Sequence, residues 1–85
     1  MYPVRYSRAA AKALQRVPVK FQERIVAAIR VIANQPAAYR GDWKPLQGTP
    51  YWRLRIGGYR VICDLRAEEL VLLVIKVGSR GDVYK

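Results

Sequence analysis

Arginines and a tyrosine are the side chains of this sequence suited to chemistry on a phosphate. Arg53, Arg55 and Arg60 fall within Lys44 to Cys63, a stretch holding no acidic residue, with Asp42 and Asp64 only flanking it. A guanidinium stays charged and donates two parallel hydrogen bonds to a phosphate. Three of them without a carboxylate nearby repel one another, which points to an absent polyanion rather than an internal salt bridge. Fixed arginines can also stabilise charge developing on phosphate in a transition state. RNA carries its own nucleophile, the 2′-hydroxyl. Its cleavage therefore needs alignment, charge stabilisation and proton transfer, but no metal. Tyr84 is the best remaining proton carrier, and cationic neighbours would lower its pKa from about 10 by favouring the anion. Residue type alone favours a plainer role for it, a ring packed at a sheet edge. Tyr51, Trp52 and Tyr59 have rings able to stack on bases, although Trp52 and Tyr59 fit a core better. Arg80, beside Gly78, Ser79 and Gly81, reads equally well as a solvated turn residue.

Other chemistries are removed by composition. There is no histidine, which excludes a Ser-His-Asp triad, a Cys-His pair and a two-histidine ribonuclease site. The single cysteine, Cys63, forms no internal disulfide and leaves no zinc site. Lying among β-branched residues, it reads as a buried, inert thiol, and a reducing cytoplasm fits. Asp42, Asp64 and Asp82 are scattered among cations, a weak basis for a two-metal nuclease. No phosphate-binding glycine loop or dinucleotide fingerprint occurs. No cofactor or metal is expected. Sixteen basic residues against six acidic ones leave a net charge of +10. Such a balance seeks RNA, DNA, an anionic membrane or an acidic protein. No apolar run approaches the roughly 20 residues of a membrane span, and no signal peptide is visible.

The elements that must position these residues follow from periodicity. Tyr51 to Ile56 alternate, with Trp52, Leu54 and Ile56 on one face and Tyr51, Arg53 and Arg55 on the other. Gly57-Gly58 suits a two-residue hairpin turn. Tyr59, Val61 and Cys63 then alternate with Arg60 and Ile62. If the apolar sides share a core, the three arginines converge on the opposite face. Upstream, Pro3 to Tyr6 reads as a short strand, and Ser7 as the cap of a helix starting at Arg8. Val17 and Pro18 break that helix, and a second runs to about Ala33. Its stripe is Phe21, Ile25, Ala28, Ile29 and Ile32, with Arg24 and Arg30 off it. Gln35 to Pro50 reads as a long connection anchored by Trp43 and Leu46. Arg66 to Glu69 is a turn, and Leu70 to Gly78 a last strand. Both its faces are apolar through Ile75, which suits a central strand or one covered by another chain. Ser79 to Asp82 forms a turn and Val83 to Lys85 a tail. The 85 residues make one domain, 1–85. Its class is α+β, in the order β-α-α-β-β-β.

Three segments carry a likeness. Lys44-Pro45-Leu46-Gln47-Gly48, Trp52-Arg53-Leu54-Arg55-Ile56-Gly57-Gly58-Tyr59-Arg60-Val61-Ile62 and Val77-Gly78-Ser79-Arg80-Gly81-Asp82-Val83-Tyr84 together resemble the RelE/ParE superfamily of toxins from bacterial and archaeal toxin–antitoxin modules. The likeness extends over nearly the whole chain, including the helix start Ser7-Arg8-Ala9-Ala10. It implies a small antiparallel sheet with a helical hairpin packed on one face. In the RelE branch the toxin enters the ribosomal A site and cuts mRNA. By position, Arg53 and Arg55 match two basic residues of the first hairpin strand. Arg60 matches the arginine after Gly-Tyr, Arg80 the arginine after the last strand, and Tyr84 a terminal tyrosine that takes part in catalysis. Lysines are common at the first two places. Arginine is a poor general base, so proton abstraction falls to Tyr84 or solvent. Relatives with a glutamate–histidine pair cannot be matched.

The resemblance therefore implies a ribosome-dependent mRNA endoribonuclease in the cytoplasm. Lys44, Lys76 and Lys85 are expected from their charge to add to RNA binding. The alternatives are a DNA gyrase inhibitor of the ParE branch, which lacks the basic–tyrosine set, and a non-catalytic RNA-binding module. It also implies an antitoxin partner, acidic and encoded nearby, in a hetero-oligomer. That partner would lay a helix or strand across the toxin and neutralise its basic face.

Overall fold

The structure is a computed structural model that describes residues 2–66 and 71–79. The elements run β1 (Val4–Tyr6), α1 (Arg8–Gln15), α2 (Val19–Asn34), a 3-10 turn (Pro36–Ala38), β2 (Asp42–Pro45), β3 (Trp52–Ile56), β4 (Tyr59–Arg66) and β5 (Val71–Ser79). The sheet order is β1-β5-β4-β3-β2. Strands β2 to β5 pair antiparallel, and β1 joins the far edge parallel to β5. This is the expected α+β order with one further short strand. Arg80, Tyr84 and Lys85 lie outside the described residues, as do most of the turn expected before β5 and the tail after it.

Both helices form where alanine-rich and 3.6-periodic sequence meets a cap or a breaker. The Ser7 hydroxyl accepts from the Ala10 N–H at 3.0 Å, capping α1, and donates to the Ile75 carbonyl at 2.8 Å, tying that helix start to β5. Opposite Ile62 and Cys63 the β4–β5 register shifts, from Ile62↔Lys76 to Cys63↔Val74, and Ile75 is the residue skipped. Ser7 thus satisfies a carbonyl at the bulge. Pro18 opens α2 without a side-chain cap. Gln22 secures the corner instead, donating to the carbonyls of Val17 at 2.8 Å and Gln15 at 3.2 Å. Ile25, Ala28, Ile29, Ile32 and Ala33 form the buried stripe of α2. They meet Leu54, Ile56, Val61, Cys63, Val74 and Val77 from the sheet. Each fully buried large apolar side chain contributes about 1.5–3 kcal/mol, so this one packed layer decides which sheet face the helices cover.

The connection between α2 and β3 is more ordered than expected, because it contains β2 as an edge strand. Its alternation, Asp42-Trp43-Lys44, is too short to stand out in sequence. Trp43 stacks on Trp52 of β3, with centroids 5.1 Å apart and rings 14° from parallel. Pro45 ends the strand at an edge, where a missing N–H is tolerated.

At the hairpin turn only Gly57 takes a positive φ, 57°. A Cβ there would also stand 2.7 Å from the Phe21 ring, whereas Gly58 has open space around it. Gly57→Ala is expected to lower stability by about 1–2 kcal/mol from the left-handed backbone alone, with the Phe21 clash adding to it. Gly58→Ala should stay within about 0.5 kcal/mol, as surface substitutions usually do. Urea midpoints of the two variants check this difference.

Candidate nucleic-acid interface

With the helices on one side, alternation sends the basic residues of the sheet to the other. Register arranges them in two cross-strand rows. One runs Asp42, Arg55, Arg60 and Gly78, and the other Lys44, Arg53, Ile62 and Lys76. Directly opposed residues on one face lie about 4.5–5.5 Å apart at Cβ. Arg55 therefore faces Arg60 and Lys44 faces Arg53, like charges held together by the ladder. Lys44 and Lys76 are exposed, and Arg60 is half-buried. Ile62 is buried, yet it is not part of the core against the helices. Of the expected site residues, Lys44, Arg53, Arg55, Arg60 and Lys76 thus share one face. Arg80, Tyr84 and Lys85 fall outside the described residues.

The expectation that no carboxylate approaches the arginines is corrected by β2. Asp42 stands opposite Arg55 and diagonal to Arg53. Its Oδ1 accepts from Arg53 Nη2 at 2.7 Å, and its Oδ2 lies 3.7 Å from Arg55 Nε. An internal salt bridge is therefore present. Sequence reading missed Asp42 because its partners lie eleven and thirteen positions later, across a pairing that only the register reveals. The one available signal was that Asp42 and Lys44 alternate with Trp43. Such partly exposed pairs contribute only about 0–1 kcal/mol, so the effect of Asp42 lies in orientation and local charge.

Arg55, Gly57, Gly58 and Arg60 line a pocket of about 130 Å³ at the hairpin tip. Neither glycine contributes a side chain to its walls, so the two guanidiniums supply its charge. At the other end of β4, Asp64 accepts from Arg66 Nε at 2.8 Å.

Of the two aromatic residues expected in the core, Tyr59 packs against it, 5.4 Å from Phe21, whereas Trp52 is half-buried and stacks on Trp43 without joining the core cluster. Tyr6 and Tyr39 also pack against the core, and burial raises both phenol pKa values, opposed in part by Arg30 and Arg24 respectively. Burial pushes the Cys63 thiol up to about 12, so it stays protonated and inert as expected. Among the described residues no three or more of His, Cys, Asp and Glu gather, and no helix is long and apolar enough to cross a membrane.

A family model for the ParE toxin of type II toxin–antitoxin systems, parDE, matches residues 4–84. The chain belongs to the ParE toxin family. It is thus a toxin of a type II toxin–antitoxin module, and the RelE/ParE likeness read from its sequence is confirmed. No curated protein matches the sequence. Among solved structures, a chain of the archaeal RelE–RelB complex from Pyrococcus horikoshii OT3 is 28% identical, with a TM-score of 0.81 over 95% of this toxin and 97% of that chain. The intact RelBE toxin–antitoxin complex of Escherichia coli has a chain 21% identical, with a TM-score of 0.81 over 93% of this toxin and 96% of that chain. The isolated E. coli RelE toxin is 24% identical, with a TM-score of 0.80 over 99% of this toxin and 92% of that chain. The two E. coli likenesses establish the fold that this ParE-family toxin shares.

Proposed function

We propose that this toxin cuts messenger RNA on the ribosome, using the basic sheet face to hold the RNA backbone. The observation that supports this reading best is the collection of Lys44, Arg53, Arg55, Arg60 and Lys76 on the side of the sheet away from the helices. In the reaction the 2′-oxygen attacks the adjacent phosphorus and the bond to the 5′-oxygen breaks. A 2′,3′-cyclic phosphate and a 5′-hydroxyl result. Arg55 and Arg60 would stabilise the charge on the pentacoordinate phosphate, with Arg80 joining them. Tyr84 would move the proton. Lys44, Lys76 and Lys85 would track the flanking phosphates. The roles of Arg80 and Tyr84 rest on the RelE resemblance, and that of Lys85 on its charge.

The antitoxin of the module would be acidic, encoded beside the toxin, and bound to it in a hetero-oligomer, as RelE is bound by RelB in the similar complexes. Toxin and ribosome would meet in the cytoplasm. A second reading, inhibition of DNA gyrase without nuclease activity, is favoured by one finding, the ParE family model itself.

Induced expression followed by mapping of mRNA 5′ ends, with and without ribosomes, separates the two. Codon-phased cuts that require ribosomes are expected. Intact mRNA with accumulated cleaved gyrase–DNA complexes would establish the second reading. RNA bound but left whole would identify a non-catalytic binding module.

A further inference from the structure

The two arginines of β3 are not equivalent. The Arg53 side chain is 17% exposed and holds a 2.7 Å hydrogen bond to Asp42, whereas that of Arg55 is 41% exposed and stands 3.7 Å from the same carboxylate. The first interaction is a short charge-assisted hydrogen bond, and the second is an ion pair beyond hydrogen-bonding distance. Arg53 also sits between Lys44 and the buried Ile62 in its row, away from the pocket. Arg55 lines that pocket together with Arg60.

We infer that Asp42 is a positioning residue that divides the work of the two arginines, holding Arg53 in an ion pair and steadying Arg55, so that Arg55 is the β3 arginine that meets an RNA phosphate. The inference rests on the reading that this face binds RNA. Arg53 then acts through Asp42. Its charge neutralises a carboxylate that would otherwise draw Arg55 out of the pocket and repel an incoming phosphate. A pair of neighbours sharing one partner in this way is strongly non-additive.

The test is a double-mutant cycle with the purified toxin and a fluorescein-labelled, twelve-nucleotide single-stranded RNA, read by anisotropy across a salt series. Removing one cation that neutralises a phosphate of a single strand reduces the slope of log affinity against log salt by about 0.7. Arg55→Ala should weaken binding and flatten the slope by that amount. Arg53→Ala should weaken binding about tenfold, as an unpaired charge does. Adding Asp42→Asn to Arg53→Ala should regain most of that affinity and return the slope to its original value. If the double variant instead stays as weak as Arg53→Ala, with the slope flattened by about 0.7, Arg53 is itself a phosphate ligand and the inference is overturned. If the unaltered toxin shows no salt-dependent RNA binding, the RNA reading falls and takes the inference with it. Circular dichroism and thermal melting establish that each variant is folded. Arg53→Met, which keeps an apolar stem over Ile62, replaces Arg53→Ala should the alanine variant fail to fold.

Discussion

Tyr84→Phe is expected to slow cleavage of ribosome-bound mRNA by about 10²–10⁴-fold, the usual worth of general acid–base help. The chain has no histidine. Among the described residues, the carboxylates that strand alternation places on the basic face are those of Asp42, engaged by Arg53 and Arg55, and Asp64, engaged by Arg66. A guanidinium is too weak a base to take a proton from a 2′-hydroxyl. Proton transfer in the proposed reaction therefore falls to Tyr84. The phenylalanine variant keeps the ring and removes only the hydroxyl, so antitoxin binding and ribosome binding should both persist. Single-turnover cleavage on programmed ribosomes is the measurement. A normal rate for Tyr84→Phe, together with reduced stability in Tyr84→Ala, would make the tyrosine a packing residue and leave the proton carrier to be found elsewhere.

Arg60→Ala comes next, with an expected decrease of about 10²–10³ in cleavage rate, or about 2.7–4 kcal/mol, by analogy with removal of one oxyanion donor. Arg60 is the second residue of β4, directly opposite Arg55, and the two guanidiniums line the pocket at the hairpin tip. It is not one of the buried core residues. Growth arrest on induction should disappear, while the purified variant keeps its circular dichroism spectrum and its antitoxin affinity. Arg60→Lys should recover part of the rate, because charge is restored but the planar fork that matches two phosphate oxygens is not. Full toxicity in a folded Arg60→Ala variant would remove the phosphate role assigned to it.

Much of the architecture was legible in the chain because it is written in short-range pattern. The α2 stripe, the Ser7 cap, the break at Val17 and Pro18 and the alternation of Trp52 to Ile56 each need only a few neighbouring residues to be read. From the hairpin pattern came the correct division between buried Leu54, Ile56, Val61 and Cys63 and outward Arg53 and Arg55. Even the protonated state of Cys63 followed from its β-branched neighbours, because burial alone raises a thiol pKa.

The sequence by itself therefore determined the two helices, the hairpin with the faces of its side chains, the last strand and the excess of positive charge, all of which depend on local periodicity and composition. Tertiary structure alone decided the neighbours across strands. It placed β1 parallel to β5 at one edge and made an edge strand of Asp42 to Pro45 at the other. It fixed the slip at Ile75 that Ser7 secures, and it set the requirement for positive φ on Gly57 rather than Gly58. It also brought Asp42 to Arg53 and Arg55, turning an apparent cluster of unpaired cations into an ordered arrangement with its own counter-charge. The physical reason is register. Side-chain direction has a period of two along one strand and can be read there, but which residue stands opposite depends on strand pairing and on where each turn and bulge falls, which no single strand records.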